Sequence, residues 1–99
     1  MDNTEKQEPI QPKAVSIHIS YEIFNQFLFQ YHNKKTRSSA LSNLFKSLDS
    51  NCDKLSEPLV SLIVALAVTF AKAYDKAWSW QKHQAITDAL VKFKNSLDL

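Results

Sequence analysis

The sequence predicts a mainly α fold in which one N-terminal strand pairs across a twofold axis with its copy and every later element is helical. Three observations lead there. Over residues 14–20, Val15, Ile17 and Ile19 alternate with Ser16, His18 and Ser20, the period-2 pattern of a half-buried strand. From Ile23 onward, apolar residues instead recur three and four apart, the spacing of amphipathic helices. Finally, the 99 residues contain no glycine, which speaks against phosphate-cradling loops, dinucleotide fingerprints and glycine-dependent hairpins.

A lone strand leaves a row of backbone N–H and C=O groups without partners. With no second strand of similar quality in the chain, the same strand in another copy is the expected partner. Before it, residues 1–12 (MDNTEKQEPIQP) carry two prolines and little apolar content, so they read as a flexible arm. After it, Ser20 is placed to cap a helix over Tyr21–His32, with Ile23, Phe24, Phe27, Leu28 and Tyr31 on one face. Asn33–Thr36 breaks that pattern. A second helix is expected to open near Arg37, Ser38 and Ser39 and to bury Ala40, Leu41, Leu44, Phe45 and Leu48, with Asp49–Asn51 as its stop.

Strand, helix, polar turn and helix within residues 14–48 resemble the ribbon-helix-helix DNA-binding family. The resemblance rests on the skeleton Val15, Ile17, Ile19, Ile23, Phe24, Phe27, Ala40, Leu41, Leu44 and Phe45, and on small polar residues opening the second helix. Lys35 stands about where family members commonly carry glycine. The resemblance implies a homodimer whose ribbon enters the major groove of double-stranded DNA, with the outward residues Ala14, Ser16 and His18 reading bases. The N-terminus of the second helix, at Ser38 and Ser39, would offer free N–H groups to phosphate. Lys34, Lys35 and Arg37 flank it, and Lys13 lies at the strand's entrance.

Residues 51–99 form a C-terminal extension expected to hold two helices. Ser56-Glu57-Pro58 is a helix start, with serine as N-cap, an acid in the first turn and proline where its missing N–H does no harm. Leu59–Ala71 is apolar nearly all round and is cut off by Lys72 and Asp75. It reads as a central helix covered by others and not as a membrane span, which needs about 20 such residues. The pattern continues through Tyr74, Ala77 and Trp78, is disturbed at 79–83, and resumes over Gln84–Leu97 with Ile86, Leu90, Phe93 and Leu97 as a packing seam.

Charge is uneven. Residues 13–48 carry five bases against Glu22, whereas residues 1–12 sum to −2 and residues 49–99 to zero. A basic excess around the strand suits a polyanion. No catalytic grouping is expected, since the chain offers no Ser/His/Asp or Cys/His arrangement and no clustered carboxylates. No metal spacing and no cofactor motif is apparent, and the single Cys52 fits a reducing cytoplasm. Tyr74, Trp78 and Trp80 beside Lys72, Lys76 and Lys82 form an aromatic-basic stretch, expected to serve in core and rim packing. The resulting expectation is a cytoplasmic, non-enzymatic binder of specific duplex DNA sites, either a small transcriptional regulator or a plasmid partition or conjugation accessory factor. Residues 51–99 would then supply an oligomer or partner interface. The rival expectation is an all-helical protein–protein interaction module, an inhibitor or adaptor, that binds no DNA.

Overall fold

The structure, a computed structural model, describes the backbone of residues 3–97 and the side chains of residues 15–97. It consists of four helices, α1 (Asn3–His32), α2 (Arg37–Ser50), α3 (Glu57–Lys76) and α4 (Ser79–Leu97). No strand occurs among the described residues. The expected strand over 14–20, and with it the ribbon-helix-helix fold, is therefore corrected: the segment lies inside α1.

The reason lies in two serines. Read through Ser16 and Ser20, the inward positions of α1 run Ser16, Ile19, Ser20, Ile23, Phe24, Phe27, Leu28 and Tyr31, alternately three and one apart, which is one face of a helix. Ser20 is fully buried, yet its hydroxyl donates to the Ile17 carbonyl at 2.8 Å, so no polar atom is stranded. Ser16 donates to the carbonyl of Lys54, across from the α2–α3 connection. Val15, expected to face inward, is exposed. A helix also satisfies its own backbone groups, which removes the requirement for a second copy to complete a sheet.

Helix α2 folds back along α1 after the turn at 33–36, and α3 and α4 form a second hairpin laid against α1. The helix that packs most broadly on the others is α1, whereas the Leu59–Ala71 segment expected at the centre leaves one side exposed. Its aromatic residues make a ladder through the core. Phe24 stacks on Phe93 of α4 with centroids 5.0 Å apart, Phe27 meets Phe70 of α3 edge-on at 6.0 Å, and Tyr31 meets Tyr74 edge-on at 5.3 Å. Ala40, Leu44 and Leu48 of α2 seal the other side.

Helix α3 starts as its sequence indicates, with Ser56 Oγ accepting from the Leu59 N–H at 3.4 Å and proline in the first turn. Among the described residues it is the one helix long and apolar enough to cross a membrane, and 28% of its apolar window is buried. Ile63, Ala67, Phe70, Ala71 and Tyr74 face the core, while Ser61, Ala65 and Val68 face outward. Apart from Val68 the outward residues are small or polar, which explains how so apolar a helix can remain uncovered on one side. Cys52 is exposed.

Candidate functional site

Both hairpin turns reach the same end of the bundle, where four side-chain contacts between helices fix them. The Tyr31 hydroxyl donates to Asp75 Oδ1 at 2.8 Å, and His32 Nδ1 shares a hydrogen bond with Tyr74 Oη at 2.7 Å. Arg37 Nη2 donates to Tyr74 Oη at 3.3 Å, and the His32 and His83 rings lie 5.1 Å apart. The last turns of α1 and α3 and the first turns of α2 and α4 are thereby joined.

Arg37 is the keystone. Its Nε donates to the Tyr31 carbonyl at 2.7 Å and its Nη2 to the His32 carbonyl at 3.3 Å, satisfying two acceptors that the end of α1 leaves open. Its guanidinium also lies 5.1 Å from the centroid of Tyr74, and Lys82 Nζ lies 4.8 Å from the same ring. Burial comes first in raising the Tyr31 pKa above its ordinary 10.0; the bond to Asp75 and that carboxylate's charge add to it, and Arg37 opposes them.

Around this buried knot the surface is basic. Lys34, Lys35, Arg37, Lys76 and Lys82 stand against the single acid Asp75, a local charge of +4 in a chain whose total is +2. Lys34, Lys35 and Lys76 are exposed, and Arg37 and Lys82 are half-buried against Tyr74. The N-termini of α2 and α4, which carry partial positive charge, both point to this end and have no acid in their first turns. Trp78, between α3 and α4, and Trp80, in the first turn of α4, belong to this end of the bundle and are 73% and 72% exposed.

The sequence-predicted DNA residues do not assemble into one site. Lys13 and Ala14 lie in α1 where side chains are outside the described residues. Ser16 is half-buried and bonded to Lys54. His18 is exposed on α1, 3.5 Å from Glu22 one turn on. Lys34 and Lys35 project from the α1–α2 turn, where the Lys35 N–H donates to Asn33 Oδ1 at 3.0 Å. Arg37 is held by the end of α1. Ser38 is exposed, and Ser39 Oγ donates backward to the Thr36 carbonyl at 3.3 Å, so it does not cap α2. Thr36 is the N-cap residue and makes no side-chain cap bond; its hydroxyl donates to the Gln30 carbonyl at 2.7 Å.

The reading of Tyr74, Trp78 and Trp80 as packing residues holds for Tyr74 alone, which is 1% exposed. The two tryptophans break ranks because α3 stops at Lys76 and α4 starts at Ser79. Trp78 therefore sits outside both helices, and the helical spacing that suggested burial does not apply to it. No group of three or more His, Cys, Asp or Glu side chains is poised for a metal ion among the described residues. No protein-family model, no curated protein and no solved structure matches the chain.

Proposed function

We propose that this protein is an all-helical interaction module whose working surface is the Trp78–Trp80 end and whose partner is anionic. The observation that carries the reading is the pairing of two largely exposed tryptophans with a local charge of +4. Large aromatics left in water are informative in a way that single exposed leucines are not, and tryptophan is enriched where partners dock. Five cations around them supply attraction and steering for negative charge.

The duplex-reading mechanism has lost its reading element. With 14–20 helical, no ribbon presents Ser16 and His18 to a groove. The basic end remains, and it belongs to turns contributed by all four helices.

The test is binding of the full chain to anionic polymers, followed over a salt series. Binding should weaken steeply with salt. Joint replacement Lys34→Glu and Lys35→Glu should abolish it at low salt, whereas Lys54→Glu at the opposite end should leave it unchanged. Equal losses from both changes, or binding indifferent to salt, would contradict the reading.

A further inference from the structure

We infer that the anionic partner is an unpaired nucleic-acid strand, with bases stacked on Trp78 and Trp80 and phosphates held among Lys34, Lys35, Lys76 and Lys82. The inference deepens the anion-binding reading and rests on it. An acidic peptide would use the lysines but leave the indoles idle, because a carboxylate offers no flat apolar face. A single strand offers both groups in alternation, and stacking on aromatic side chains together with a basic track is how such strands are held.

Lys76 at the end of α3, Trp78 between the helices, and Trp80 and Lys82 at the start of α4 bring two cations and two indoles together within seven residues. Their placement is prepared in advance. The Trp78 N–H donates to Gln81 Oε1 at 3.3 Å, and the Trp78 carbonyl accepts from the N–H groups of Gln81 at 2.9 Å and Lys82 at 3.1 Å. Trp80 is anchored in the first turn of α4, and Lys82 rests on the buried Tyr74 ring. A ligand meeting this turn therefore has little backbone to order.

Duplex DNA fits this surface less well. Its base faces are stacked inside the helix and only edges show in the grooves, so the indoles could engage it only after unpairing.

The deciding experiment uses the full chain and four probes of similar charge: an oligothymidylate of about 12 nucleotides, an abasic sugar-phosphate strand of the same length, a duplex and polyglutamate. The oligothymidylate should quench the tryptophan fluorescence and bind at least several-fold tighter than the other three. Trp78→Ala and Trp80→Ala should each weaken its binding by roughly five- to hundredfold while leaving the abasic strand's affinity unchanged. Phenylalanine at either position should restore part of the loss. Equal affinity for oligothymidylate and abasic strand, insensitive to both alanine changes, would overturn the base-stacking inference and leave the anion-binding reading standing. Failure of all four probes to bind the folded protein at low salt would overturn both.

Discussion

The Tyr31 hydroxyl donates to Asp75 Oδ1 at 2.8 Å across 44 residues of chain, fastening the last turn of α1 to the last turn of α3. Loss of this bond in Tyr31→Phe leaves an exposed carboxylate that water can solvate, so the expected cost is about 1 kcal/mol, read from urea unfolding at neutral pH. The bond also carries a pH signature. The folded-state pKa of Tyr31 is raised from 10.0, first by burial and then by Asp75, so the folded state holds the phenolic proton more tightly than the unfolded chain does. Its contribution is thus complete below pH 10.0 and disappears as the pH climbs through the raised value. Tyr31→Phe should flatten the alkaline fall in stability; an identical fall in the variant would contradict this.

Arg37 should not tolerate lysine. A lysine keeps the charge but cannot span the Tyr31 carbonyl, the His32 carbonyl and Tyr74 Oη with a planar fork. Arg37→Lys is expected to cost roughly 1–3 kcal/mol, with thermal unfolding as the readout. A lysine variant as stable as the parent would mean that charge alone matters there.

Much of the helical half of the fold was legible from local chemistry. Ser56-Glu57-Pro58 specified the start of α3 because the capping atoms are neighbours in sequence. The expected inward face of α2 holds the buried Ala40, Leu44 and Leu48 but wrongly includes Phe45, which is exposed, and that of α4 holds the buried Phe93 but misses Ala89. The N-terminal segment misleads because its alternation gives Ser16 and Ser20 solvent-facing places. Serine can sit in a core when its hydroxyl bonds backward along the helix, and hydropathy does not register that. The basic end was half visible. Lys34, Lys35 and Arg37 stood out as a cluster, but their union with Trp78 and Trp80 depends on contacts spanning about forty residues, such as His32 with Tyr74 and Arg37 with Tyr74. The signal that could have found it was the break between α3 and α4, which frees Trp78 from helical spacing.

The core should respond most strongly at Phe24, which is fully buried and stacked on Phe93 5.0 Å away. Phe24→Ala is expected to remove about 3–5 kcal/mol, a large share of the ~5–15 kcal/mol typical of a domain. Chemical denaturation should show the midpoint falling accordingly. A loss below about 1 kcal/mol would place Phe24 outside the core.

His18 separates a helix from a strand at the N-terminus. Its side chain is exposed, so His18→Ala should change stability by no more than about 0.5 kcal/mol and leave anion binding untouched. His18→Pro alters the backbone at the same exposed position and should cost about 3 kcal/mol or more, with a loss of helical circular dichroism. Harmless proline at 18, or weakened anion binding in the alanine variant, would restore the case for an extended, DNA-reading segment.

The chain's two tryptophans stand in water within a basic field, and collisional quenching measures that directly, with no partner required. Both residues are largely exposed, so the emission should be that of solvated indole. Iodide, drawn in by Lys34, Lys35, Lys76 and Lys82, should quench far better than caesium at low ionic strength, and the gap should close as inert salt screens the charges. Blue-shifted emission that resists both ions, or equal quenching by iodide and caesium at low salt, would contradict the account.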